Sequence, residues 1–237
     1  MVSDPARPLL RVHQQAPWLI ADLGAPCQAI SWAPVRPGPC VARRVVWLEV
    51  RNRDLPPDTD ATKLLARRMD QAGFAGAIGL MTSSPLADHV VTAAEVKDGG
   101  TPVRAEVALT LGLSNGERVG ERAARPPQVG TINLVCRVSV PLTPGALLEA
   151  LSVATQARTA GVIALAVPRD GTGPTVTGTG TDCVVMAAPI TTLAGETGTS
   201  AAAAYAGTHT ALGEAIGAAV LQAVQRAAIA WRARSPI

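Results

Sequence analysis

The chain has 237 residues, 48% of them hydrophobic and 3% aromatic, with a formal net charge of +3. That length buries a sizeable core in one large domain or two small ones, and the aromatic content makes it a core of Ala, Val, Leu and Ile. The small charge, its scattered arginines and the lack of aromatic platforms argue against a nucleic-acid surface.

The first ten residues include Asp4, Pro5 and Pro8 and no apolar run, so no secretory signal is expected. Residues 9–50 read as β-rich: 9–12, 18–23 and 28–32 are short apolar pieces cut by Pro and Gly, and 41–50 is the clearest strand. There Val45, Trp47 and Glu49 alternate with Val46, Leu48 and Val50, while Pro34, Pro37 and Pro39 exclude regular structure between them.

A helix is expected over 59–72, capped by Asp58, Thr59 or Asp60 and ended by Gly73 and Gly76. A buried strand follows over 76–83, with Thr82, Ser83 and Ser84 at its exit. Strands 90–97 and 103–111 pair across Asp98, Gly99 and Gly100, with Val103 and Glu106 suggesting one wet face. A polar loop, 112–128, leads to a strand over 131–140 with Ile132, Leu134, Cys136 and Val138 on one face and Asn133 and Arg137 on the other.

Thr143 and Pro144 form an N-cap and first-turn pair, starting a helix that follows Leu147, Leu148, Leu151, Thr155, Arg158 and Val162 to about Ala166. After a loop and a Gly-Thr segment comes a strand over 183–188. The last helix runs from about Thr210 to Trp231, with Leu212, Ile216, Val220, Ala223, Val224 and Ala227 toward the core. Gly213 and Gly217, one turn apart, let another element approach. The expected fold is mixed α/β (α+β): a single domain, 1–237, with a mixed, largely antiparallel sheet on about three main helices. Within it, 1–58 is the β-rich N-terminal part.

Two segments concentrate the chemistry: Gly178, Thr179, Gly180, Thr181, Asp182, and Tyr205, Ala206, Gly207, Thr208, His209, Thr210 running on to Glu214. Glycines let backbone N–H groups approach a ligand, threonines give and take hydrogen bonds, and Asp, His and Glu move protons. Asp182 can orient a histidine, activate water, bind an amine, or accept N–H bonds in its own turn. His209 precedes a helix start, where the positive end of the dipole favours neutral imidazole, and Glu214 sits in the first turn where the dipole stabilises a carboxylate. Asn115 and Asn133 stand at expected strand ends, where an amide can bind a ligand's amide or carboxylate.

Cys183 invites a nucleophile reading but starts an apolar strand, where a cysteine is an ordinary small core residue. Cys27, Cys40, Cys136 and Cys183 have no CxxC spacing and make a sparse disulfide framework, so a reducing cytoplasm is the expected compartment. No run of 18 apolar residues predicts a membrane span.

Four segments resemble the adenosylcobinamide amidohydrolase family of corrinoid salvage: 177–182, 205–217, 112–115 and 130–133, joined by Gly79, Leu80, Met81 and Thr82. The resemblance covers 76–225; residues 1–58 match loosely, and a Pro-rich stretch at 34–39 stands where the family is richer in glycine. It implies hydrolysis of the adenosylcobinamide amide to adenosylcobyric acid and 1-amino-2-propanol.

Such chemistry needs an activated nucleophile, an oxyanion hole and a proton for the leaving amine. Asp182 or Glu214 is expected to activate water, directly or through His209, and His209 to protonate the amine. N–H groups at 178–181 or 207–210 would hold the oxyanion. Ser114, Asn115, Thr131, Asn133, Gly178, Thr179, Gly180, Thr181, Tyr205, Gly207, Thr208 and Thr210 are the expected substrate-binding positions.

Attack by Thr131 or Thr181, a metal held by Asp182, His209 and Glu214, and a non-hydrolytic corrinoid binder with His209 on cobalt are the alternatives. The implied partner is the corrinoid alone, with no nucleic acid and no membrane, in a chain compatible with a homo-oligomer. No cofactor is implied beyond the cobalt carried by the substrate.

Overall fold

A computed structural model describes residues 8–51, 54–56, 58–98, 101–121, 130–190 and 201–235. Gly99 and Gly100 of the expected turn and 122–128 of the expected polar loop lie outside them. The strands are β1 (Arg11–Gln15), β2 (Trp18–Ser31), β3 (Gly38–Glu49), β4 (Ile78–Thr82), β5 (Val90–Asp98), β6 (Thr101–Leu111), β7 (Gly116–Glu117), β8 (Ile132–Val138), β9 (Gly178–Thr179) and β10 (Cys183–Pro189). The helices are α1 (Ala61–Gln71), α2 (Pro144–Ala164) and α3 (Ala211–Arg234). The main sheet runs β4-β3-β2-β10-β8-β6-β5, with β1 on β2, and β7 pairs β9 separately. Only β3–β4 and β8–β10 are parallel, so the sheet is mixed and largely antiparallel, as expected.

The pieces 18–23 and 28–32 form one strand rather than two. The register slips between Asp22 and Cys27, so the intervening Gly24 and Pro26 sit in a bulge where no ladder hydrogen bond is demanded of them. Gly24 takes φ 74° there, and its N–H donates to Asp22 Oδ1 at 2.7 Å. Pro39, expected outside regular structure, lies in the second position of β3 opposite Ile30, near a strand start where a missing N–H is tolerated.

The bulge bends β2 and β3 so that the sheet folds over itself. Three cores result. α2 and α3 cover one face of β6, β8 and β10 through Leu109, Leu134, Met186, Ile216 and Val220. Between the sheet halves, Leu19, Trp47, Leu80 and Leu86 meet Ala108, Val135, Cys183 and Val185. On the far side Leu65 and Met69 of α1 pack with Phe74 on Ile20, Val46 and Leu48. The order is helix, sheet, sheet, helix. Both faces of β3 are therefore covered, and its alternation separates two cores rather than core from water.

Two expected surfaces are corrected by this layering. Glu106 is 3% exposed, not on a wet face; it faces the N-terminal segment, accepts from Leu10 N at 2.7 Å and pairs with Arg104. Leu148 is 56% exposed, because Ala146, Ala150, Val153, Ala154 and Ala157 fill the buried stripe of α2.

Thr143 caps as expected, Asp60 is the cap among the three candidates, and Thr210, expected to bind substrate, caps α3. Asp60, Thr143 and Thr210 each accept from an N–H three residues on, at the starts of α1, α2 and α3. α2 and α3 run the same way: Glu149 of α2 holds Ala206 just before α3, Gly161 lies against Val224, and Arg232 reaches Leu165 O at 2.6 Å.

Candidate active site

Most of the buried polar side chains lie at one end of the sheet. Ser31, Thr82, Ser84, Thr110, Thr131, Asn133 and Asp182 are each 8% exposed or less, and all but Asp182 sit on the strands or strand ends that meet between the sheet halves. This is the end where β8 and β10 begin, β4 and β6 finish and α2 arrives.

Asp182 is its anchor. One carboxylate oxygen accepts from Ile132 N at 2.9 Å and from the Thr179 hydroxyl. The other accepts from Thr179 N at 2.9 Å and pairs with Arg158 of α2. A carboxylate has about four acceptor directions, and all four are filled. Asp182 thus ties the Gly-Thr loop to β8 and to α2, which is the turn-holding role among those open to it. Arg158 stood in the sequence only as a position on a helix face. A charge on an otherwise apolar stripe was the available signal, since such a charge needs a buried partner.

The other motifs converge here too. Thr131 Oγ1 lies 2.9 Å from Thr181 O and 3.3 Å from Asn133 Oδ1. Asn133 Nδ2 donates to Met81 O at 2.6 Å, joining β8 to β4 across the inter-sheet core. Thr181 Oγ1 donates to Gly130 O at 3.2 Å. Gly178 and Thr179 pair with Gly116 and Glu117, which follow Ser114 and Asn115. Ser114, Gly180 and Thr181 face solvent.

The joint is tight. A Cβ at Gly130 would stand 2.7 Å from Asn115 Oδ1 and 2.9 Å from Gly112 O, so only glycine admits this approach. Asn115 Oδ1 and Thr110 Oγ1 are buried without a hydrogen-bond partner among the described residues. Glu117 has its Cγ 4.0 Å from where a Gly180 Cβ would be, and among the described residues its carboxylate is met by Arg169, at 4.0 Å.

The second segment is elsewhere. Thr143 N donates to Ala203 O at 3.0 Å and Ala206 N to Glu149 at 2.8 Å, which fixes 203–206 beside the start of α2. Asp182 meets α2 at Arg158, nine residues and about 13 Å of helix axis further on. It also holds the first residue of β8, whereas Ala203 bridges Leu142 beyond the strand's end; seven residues of β8 span about 20 Å. Asp182 and the pair His209 and Glu214 therefore lie at opposite ends of the sheet, and one site does not hold all three. Among the described residues no three His, Cys, Asp or Glu side chains gather in a metal-binding set.

At that second end the Gly/Thr pattern forms a cap. Thr210 donates to Gly207 O at 2.8 Å and accepts from Gly213 N at 2.9 Å. Tyr205, Thr208, His209 and Glu214 are exposed. Gly213 lies against the backbone of 206–207, whereas nothing comes within 4 Å of a Cβ at Gly217, so the expected close approach occurs at only one of the two.

Burial, with Asp182 beside it, pushes the Cys183 thiol up to about 12; burial alone does the same for Cys136. A thiol so raised stays protonated at neutral pH and is a poor nucleophile. The unfolded thiols ionise near 9.0. Between that value and about 12 the unfolded state has shed protons that the folded state keeps, so raising the pH through this window favours unfolding. Chemical denaturation at about pH 8 and about pH 10.5 should show stability falling, and less steeply in a Cys136→Val, Cys183→Val double variant. Equal slopes for the two proteins would refute the assignment.

The sequence profile of the adenosylcobinamide amidohydrolase family (CbiZ) matches residues 6–236. The chain belongs to the adenosylcobinamide amidohydrolase family. It is accordingly a hydrolase acting on amide bonds, and the match takes in the N-terminal strands that resembled the family only loosely. No curated protein sequence matches this one.

Among solved structures it is similar to the PH0078 protein from Pyrococcus horikoshii OT3, at 12% identity and TM-score 0.48, over 90% of this chain and 77% of that one. It is also similar to the L-aminopeptidase D-Ala-esterase/amidase from Ochrobactrum anthropi, at 11% identity and TM-score 0.47, over 94% and 82%. A Burkholderia sp. beta-aminopeptidase matches at 14% identity and TM-score 0.43, over 94% and 84%. Among the described residues no helix is long and apolar enough to cross a membrane.

Proposed function

We propose that this amidohydrolase cleaves adenosylcobinamide to adenosylcobyric acid and 1-amino-2-propanol, at the end of the sheet anchored by Asp182. The family match over 6–236 carries the reading. The convergence of 112–115, 130–133, 79–82 and 177–182 on one place supports it, since four of the five family-like segments meet there.

A corrinoid presents many neutral side-chain amides, and the hydroxyls of Ser114, Thr179 and Thr181 and the amide of Asn115 are neutral partners for them. Water is the attacking group in this reading. The Thr131 and Thr181 hydroxyls are bonded to backbone carbonyls, which take no proton. With the acceptor capacity of Asp182 filled, Glu117 is the carboxylate beside the loop left to activate that water. Asp182 then acts by holding the loop. The experiment is incubation of the purified protein with adenosylcobinamide, with and without a chelator, followed by chromatography and mass analysis. Adenosylcobyric acid in both samples is the expected result; corrinoid binding without product would replace hydrolysis by a binding role.

A further inference from the structure

We propose that Trp32 is a stacking residue for the corrinoid ligand, presenting an indole face to a flat conjugated group. This rests on the functional reading above and adds a residue to it. The chain has four Trp, one Tyr and one Phe. Trp18, Trp47, Phe74 and Trp231 are each 8% exposed or less, while Trp32 is 42% exposed.

Four of the six aromatic side chains are buried, so the positions of the two exposed ones, Trp32 and Tyr205, carry information. Trp32 follows directly on β2, at the end where the family-like segments converge. Its Nε1 donates to Asp182 O at 2.5 Å, and its own carbonyl faces Cys183 Sγ at 3.7 Å. The indole is thereby pinned by its edge to the anchor of the Gly-Thr loop. That bond fixes the ring's direction and consumes its one polar atom, leaving ring surface open to a ligand. Preorganised aromatic faces are the usual receptors for flat π systems, because the ring loses little freedom on contact. The ligand carries two such groups, the conjugated corrin and the adenine of its adenosyl group. Tyr205, the other exposed aromatic, is 68% exposed and lies at the opposite end, apart from this loop.

The test is equilibrium dialysis of the full chain against adenosylcobinamide and against cobinamide lacking the adenosyl group. Wild type, Trp32→Ala and Trp32→Phe are compared, beside KM, kcat and the thermal midpoint. Trp32→Ala should weaken binding and raise KM by about tenfold or more, as for loss of one stacked base. The thermal midpoint should hold and kcat should change much less than KM. Trp32→Phe, which keeps a ring face but has no N–H, should recover most of the loss.

Weakening for both ligands assigns the contact to the corrin; weakening for the adenosylated ligand alone assigns it to adenine. Trp32→Phe as poor as Trp32→Ala would mean that the N–H bond to Asp182, not the face, is what matters, and would overturn the inference. Trp32→Ala binding like wild type would overturn it alone and leave the hydrolytic reading standing. Wild type that binds neither corrinoid would overturn both.

Discussion

Asp182→Ala is expected to lower kcat by about 100-fold or more and the thermal midpoint by roughly 10 °C. Two effects combine. The substitution leaves Arg158 with its side chain only 12% exposed and no counter-charge, and removing one partner of a buried pair costs about 3–5 kcal/mol. It also releases Ile132 N, Thr179 N and the Thr179 hydroxyl together, so the Gly-Thr loop loses its fixed distance from β8. A displacement of about 1 Å in a reaction centre suffices for the kinetic loss.

Comparison with Glu117→Gln separates anchor from base. That variant should lower kcat while leaving the midpoint in place, because Glu117 is partly exposed and, among the described residues, held by a long contact to Arg169. Circular-dichroism melts beside steady-state assays read both quantities. Near-wild-type kcat in Asp182→Ala would dismiss the anchored end as the reaction centre.

Gly213→Ala should cost about 2–3 kcal/mol and lower the midpoint by roughly 5–10 °C, while turnover per folded molecule persists. A Cβ at this position falls onto the Gly207 carbonyl and would stand 2.8 Å from Ala206 O. These are backbone atoms held by the cap of α3 and by Glu149, so relief requires the cap to open. The clash is nevertheless remote from Asp182. Activity measured well below the midpoint distinguishes the two ends. If it vanishes with Gly213→Ala as it does with Asp182→Ala, the segment around His209 and Glu214 belongs to the reaction centre and the one-ended reading fails.

Local chemistry was legible in the chain. Thr143 was readable as a cap, and Asp60 as one of three neighbouring candidates, because a cap needs only one side-chain oxygen and an N–H three residues on. The alternation of Ile132, Leu134, Cys136 and Val138 against Asn133 and Arg137 was readable because a strand's two faces follow from its own geometry. Glu106 and Leu148 misled for the complementary reason. Whether a face is wet depends on what packs over it, and Leu10 and the small side chains of α2 settled that. Trp32 and Arg158 carried no local pattern beyond a single unexpected residue type.

Residue order by itself determined the helices with their starts, the β5–β6 pair, the family-like Gly/Thr segments and, through them, the class of chemistry. Each depends on contacts within a few positions or on a run of residues in fixed order. Tertiary structure alone decided which of those segments share a place. The crossover from β8 through α2 to β10 returns the chain to the end where β8 began, so Asp182 meets Ile132 and Arg158, Thr181 meets Thr131, and Cys183 pairs with Asn133. β10 then carries the chain to the far end, where His209 and Glu214 are left beside the start of α2. The direction of a parallel crossover is set by strand twist and by burial against the helix layer, and neither is written in the spacing of the motifs it brings together.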